Sequence, residues 1–134
     1  MAGVVVDASV AVKWFIAEER SEAARAVRGS GVDLLAPSSV IFEIYHALWE
    51  AARKGRIPGS FPRDAASLIP SPFTKLVPIE DLFDSATMLA TELKHPVYDC
   101  VYLALAQEQG VEIVTADREL ARAGRRANIR TRVI

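Results

Sequence analysis

Asp7, Glu43, Asp99 and Asp117 are the residues of this 134-residue chain best suited to chemistry. Asp7 closes the apolar run Val4-Val5-Val6, and Asp117 lies just beyond Val111-Glu112-Ile113-Val114. Glu43 and Asp99 each interrupt a strongly apolar helical segment. A buried carboxylate is costly unless something positive compensates it. Neither Asp7 nor Asp99 has a lysine or arginine as a close neighbour in the sequence, so a shared cation is the simplest explanation. All four are hard oxygen ligands, and oxygen-only ligation selects Mg²⁺ or Mn²⁺ over zinc. A divalent ion held by acids is the working part of many nucleases and phosphotransferases.

Each acid also has a plain structural reading. Asp7 and Asp117 stand where helix N-caps would, each worth about 1 kcal/mol. Asp99 in a first helical turn gains about 0.3–1 kcal/mol from the helix dipole. Glu43 could pair with a distant Lys or Arg. Caps alone, however, do not account for four acids at two strand ends and two buried-helix positions. The histidines add no ligand pattern. His46 lies on the far side of its helix from the apolar stripe, and His95 precedes Pro96 in a loop, so both read as structural or solvated.

The elements that must position these acids alternate. Strands are expected at Gly3–Val6, Asp33–Ala36, Lys75–Ile79, Val111–Val114 and Ile129–Val133, from β-branched and apolar runs bounded by Asp, Gly and Pro. Helices are expected over Ala8–Glu19, Ser21–Arg28, Ser38/Ser39 to Lys54, Glu80–Leu93, Pro96–Gln109 and Asp117–Ala123, the last ended by Gly124. A weak helix over Arg63–Leu68 sits in a stretch, Gly55–Pro72, rich in Pro and Gly. Strands alternating with helices imply one α/β domain over residues 1–134, a five-stranded parallel sheet with helices on both faces. In such sheets ligands bind at the carboxyl ends of the strands, where strand order reverses. If the strands before Asp7 and Asp117 are neighbours, the two acids converge there.

Composition is that of a globular chain: 51% hydrophobic, 25% charged, formal charge −1. A basic nucleic-acid face must therefore be local. Cys100 is the single cysteine, which excludes an intramolecular disulfide and a cysteine-based zinc cluster. Asp7 and Lys13 break the N-terminal apolar stretch, against a signal peptide, and no apolar run approaches the roughly 20 residues that span a bilayer. A cytoplasmic protein is expected.

Val5-Val6-Asp7-Ala8-Ser9, the Glu of Pro37-Ser38-Ser39-Val40-Ile41-Phe42-Glu43, Tyr98-Asp99-Cys100-Val101-Tyr102-Leu103-Ala104 and Val114-Thr115-Ala116-Asp117 together resemble the PIN-domain ribonucleases. Within them the chain is most similar to the VapC toxins of prokaryotic toxin–antitoxin pairs, from the first strand to about Leu120. The resemblance implies a metal-dependent endoribonuclease using Mg²⁺ (or Mn²⁺), cutting single-stranded or looped RNA to a 5′-phosphate and a 3′-hydroxyl. It maps catalytic and metal-binding acids onto Asp7, Glu43, Asp99 and Asp117, with Ser9 and Thr115 as supporting polar groups. In the family the last acid is the most variable, which weakens Asp117 as a ligand. A small VapB-like antitoxin and a homodimer are the implied protein partners. Gly55–Pro72 departs from the family in its prolines, which bears on those partner surfaces rather than on the site.

RNA also needs cations. Lys13, Arg118 and Arg122 lie beside the acids in the chain and are candidate RNA or antitoxin contacts, while Arg125, Arg126, Arg130 and Arg132 read as surface charge. Tyr45 and Trp49 suit either the core or an interface. A receiver-like or phosphatase-like rival requires paired acids or Asp-x-Asp after the first strand, where this chain has Asp7-Ala8-Ser9. The alternative that stays open is a PIN-fold binding or regulatory module, whose signature would be loss of a core acid.

Overall fold

The computed structural model describes residues 3–134. Five strands form one parallel sheet: β1 (Gly3–Val6), β2 (Asp33–Pro37), β3 (Lys75–Val77), β4 (Glu112–Thr115) and β5 (Thr131–Val133), in the order β3-β2-β1-β4-β5. Register is set by short β-branched runs, with Val5 paired to Leu35 on one side and to Ile113 on the other. Strand order reverses between β1 and β4, so the expected neighbours do meet, and Asp7 and Asp117 leave the sheet at the same end.

Seven α-helices are present among the described residues: α1 (Ala8–Ala11), α2 (Ser21–Arg28), α3 (Ser39–Arg53), α4 (Phe61–Ala65), α5 (Phe83–Leu93), α6 (Val97–Gln109) and α7 (Arg118–Arg126). Right-handed crossovers place α1 to α3 on one face of the sheet and α5 to α7 on the other. α6 lies across β1, β2 and β4 with α5 packed against it. Its segment Cys100 to Ala106 is buried throughout. Burying Leu103 and Leu105 contributes on the order of 1.5–3 kcal/mol each. None of the described helices is long and apolar enough to cross a membrane.

Local corrections have physical causes. The helix expected over Ala8–Glu19 stops at Ala11, followed by one 3₁₀ turn, Val12–Trp14. There the chain folds back: Trp14 Nε1 donates to the Ala24 carbonyl at 2.8 Å, and Lys13 Nζ to the Glu19 carbonyl at 2.8 Å. Gly124 does not end α7. A Cβ at that position would come within 2.7 Å of Thr131 Oγ1 and 3.3 Å of Leu103 Cδ2, so glycine marks close packing of α7 on its neighbours. The helix expected over Arg63–Leu68 begins earlier, at Phe61, with Pro62 in its first turn.

Candidate active site

Asp7 and Asp117 share a local setting but not a role. Asp117 caps α7, its Oδ1 accepting from the backbone amides of Glu119 (2.9 Å) and Leu120 (3.4 Å). Asp7 occupies the N-cap position of α1 and makes no side-chain cap. Instead its Oδ2 accepts from the hydroxyls of Ser9 at 2.6 Å and Thr115 at 2.9 Å. Ser9 and Thr115 thus both donate to Asp7, and they also bind the β4 end. Ser9 Oγ accepts from the Ala116 amide, and Thr115 Oγ1 from the Asp117 amide, both at 2.9 Å.

Glu43 comes from α3. Its Oε1 accepts from Tyr102 of α6 at 2.9 Å. The Ser39 hydroxyl, buried one turn earlier, forms no hydrogen bond of good geometry, yet its dipole still favours the charged Glu43. Asp99 stands in the first turn of α6, and its Oδ2 lies 2.9 Å from His95 Nε2. His95 is therefore no bystander: it is a direct partner of Asp99. The i, i+4 spacing of the two residues was the available signal, obscured because Pro96 separates His95 from the helix.

One arrangement recurs at all four acids. Each has one carboxylate oxygen held by a donor and the other free of any donor among the described residues. No lysine or arginine lies within 4.0 Å of any of them among those residues. Burial acts first on three of them, and the charges of their neighbours add to it. Burial raises the Asp7 carboxyl above its usual range against the Ser9 and Thr115 bonds, and the charges of Asp99 and Asp117 raise it further. Glu43 is pushed up to about 7, first by burial, then by Asp7 and Asp99, against the Tyr102 bond. Asp99 is raised by burial and by Asp117, with His95 opposing.

Mutually repelling acids with no lysine or arginine among them are a donor set for a hard divalent cation. No three of the described acidic, histidine or cysteine side chains are drawn together tightly enough to form a finished cage. Nor is there thiol chemistry here, since burial and the Asp99 charge lift Cys100 to about 11.

The sequence candidates around the acids separate. Lys13 is committed to Glu18 Oε1 at 3.1 Å and to the Glu19 carbonyl. Arg118 and Arg122 are exposed on α7. On the other flank, beside Ser9 and Glu43, an apolar groove of about 590 Å³ is lined by Phe42, Tyr45, His46 and Trp49. Phe42 is 80% and Trp49 49% exposed, which decides for the surface over the core at Trp49.

The PIN domain family model matches residues 4–126, and the chain belongs to that family. It is 32% identical to Ribonuclease VapC3 of Pyrobaculum aerophilum over 87% of this chain and 91% of that protein. The crystal structure of PAE2754 from the same organism matches with a TM-score of 0.70 and 26% identity, covering 91% of this chain and 79% of that one. Mycobacterium tuberculosis VapC20, a sarcin-ricin loop cleaving toxin, matches with a TM-score of 0.69 over 90% of this chain and 95% of its own, and at 19% identity the likeness is one of fold. The comparisons thus support a VapC-type ribonuclease, and divalent metal use is general to such enzymes.

Proposed function

We propose that this protein is a Mg²⁺- or Mn²⁺-dependent endoribonuclease, the toxin of a VapBC-type pair acting in the cytoplasm. The observation that carries this reading is the set of four carboxylates, each with one oxygen steadied and one free, with no lysine or arginine to neutralise them. The free oxygens of Asp7 and Asp99 are assigned as ligands, with Asp117 completing the charge. When bound, the ion supplies charge neutralisation at the phosphate and a more acidic water. Ser9 and Thr115 hold Asp7 in one orientation. Glu43 takes a proton from the attacking water through its free oxygen, the other being held by Tyr102. Tyr102, kept neutral by burial and by the Asp7 and Glu43 charges, remains a donor and steadies Glu43. The apolar groove beside Glu43 suits a protein surface, an antitoxin or a second copy of the chain.

The test is cleavage of a cellular RNA pool by partner-free protein in Mg²⁺, Mn²⁺ or EDTA, alongside Asp99→Asn. Cuts that require metal and disappear in the isosteric variant are expected. Folded, metal-bound protein that leaves all RNA intact would turn the assignment to a binding or regulatory PIN module.

A further inference from the structure

Two shallow grooves beside the acid site share Arg20, Arg118 and Ile134. The larger, about 370 Å³, is lined by Arg20, Arg118, Arg122 and Arg125. The smaller, about 180 Å³, runs on past Lys13 and Glu19 to Ala116, whose amide donates to Ser9 beside Asp7. The two share three lining residues, and the smaller stops at Ala116 and Arg118, the chain neighbours of Asp117.

The arginines of the tail divide sharply. Arg126 donates to the Leu93 carbonyl, Arg130 to the Gly110 carbonyl, and Arg132 pairs with Glu112 at 2.9 Å. Arg20, Arg118 and Arg125 have no carboxylate within 4.0 Å among the described residues, and Arg122 has only the exposed Glu119 at 3.7 Å. Arg118, Arg122 and Arg125 stand at i, i+4 and i+7, one face of α7. Arg20 joins them from the α1–α2 connection with φ 67°, a left-handed conformation that a side chain of this kind rarely adopts. Such strain persists where the surroundings demand it and gathers at binding sites.

We propose that Arg20 and the arginine face of α7 form a track for the backbone phosphates of single-stranded RNA, leading the strand into the carboxylate site. The proposal rests on the ribonuclease reading above for its substrate. Unpaired guanidiniums suit phosphate oxygens in geometry and charge. A site made of acids repels RNA, so attraction has to come from beside it, and these arginines line grooves that run up to Ala116 beside Asp117.

The test compares the parent with Arg20→Gln/Arg118→Gln/Arg125→Gln and with the matching triple Lys variant. Binding of a short labelled single-stranded RNA is measured in EDTA across salt concentrations, and hydrolysis of a small aryl phosphodiester is measured with Mn²⁺. The Gln variant is expected to bind RNA about tenfold or more weakly, with a log–log salt slope shallower by about 2, since each phosphate left without its arginine removes about 0.7 from the slope. Hydrolysis of the small diester, too short to reach the track, stays at the parent rate. The Lys variant keeps the parent slope. An unchanged slope in the Gln variant overturns the track, as does a Lys variant that loses as much as Gln. Loss of binding to a polyglutamate peptide with RNA binding retained also overturns it, and makes the face a site for acidic protein. A parent inert towards every diester sinks the nuclease reading alone, because a slope difference in EDTA still supports the track.

Discussion

The ends of β1 and β4 carry the same local pattern, an apolar strand, an aspartate, then a helix, and the structure uses them in opposite ways. Asp117 is exposed and caps its helix. Asp7 is buried, leaves its helix uncapped and takes two hydroxyls, one from 108 residues away. Burial makes the difference. An exposed acid is satisfied by the nearest amides, whereas a buried one must be supplied with donors by the fold and stays strained in its charged form. A helix cap and a buried carboxylate held by distant hydroxyls can look identical in sequence.

The largest test of this contrast is activity. Asp7→Asn is expected to lower metal-dependent RNA cleavage by about 10³-fold or more, because the buried charge proposed to hold the ion is lost. Asp117→Asn, which keeps the cap, should lower it by only about tenfold. Equal losses in single-turnover rates would erase the distinction.

Stability against pH sharpens it. Glu43 has a folded value of about 7 against an ordinary 4.5, so between these values the folded state binds more protons than the unfolded one. The metal-free protein is therefore expected to lose stability as pH rises from about 4.5 through about 7, and the raised carboxyls of Asp7 and Asp99 act in the same direction. Glu43 remains partly open to solvent, so its share is about 2 kcal/mol after allowance for screening. Denaturant melts in EDTA at pH 5 and pH 8 measure this, and Glu43→Gln should flatten the dependence. A protein more stable at pH 8 would mean that a hidden cation already neutralises the acids.

The smallest effect lies in the cap. Asp117→Ala should cost about 1 kcal/mol in urea denaturation, and Asp117→Asn only a few tenths. If Asp7→Asn instead destabilises the metal-free protein by more than Asp117→Ala, its carboxylate is structural and the contrast is reversed.

Much of the fold was legible because its signals are local. The β-branched runs at Val4–Val6 and Ile113–Val114, the apolar stripe of α3 and the Pro96 start of α6 read directly as elements, and their alternation implied the parallel sheet. The order of the four acids carried the family. Tertiary hydrogen bonds defeated the reading elsewhere: α1 ends early where Trp14 reaches Ala24, and Gly124 answers to Thr131 rather than to a helix end. A loop histidine before proline shows no spacing to another ligand, and the partner of His95 is an acid four residues on.

Sequence alone outlined the strands, the end of the sheet at which Asp7 and Asp117 emerge, and the candidate acids, since hydrophobic period and chain order need only near neighbours, although β3 and β5 are shorter than their expected Lys75–Ile79 and Ile129–Val133. Tertiary structure decided which acid is a cap, which carboxylate oxygens stay free, and which arginines stay unpaired. Those outcomes depend on contacts such as Tyr102 with Glu43 across 59 residues, and on a groove that Arg20 and Arg118 line together. Burial and hydrogen-bond supply are properties of the packed chain, and no local pattern of residue types contains them.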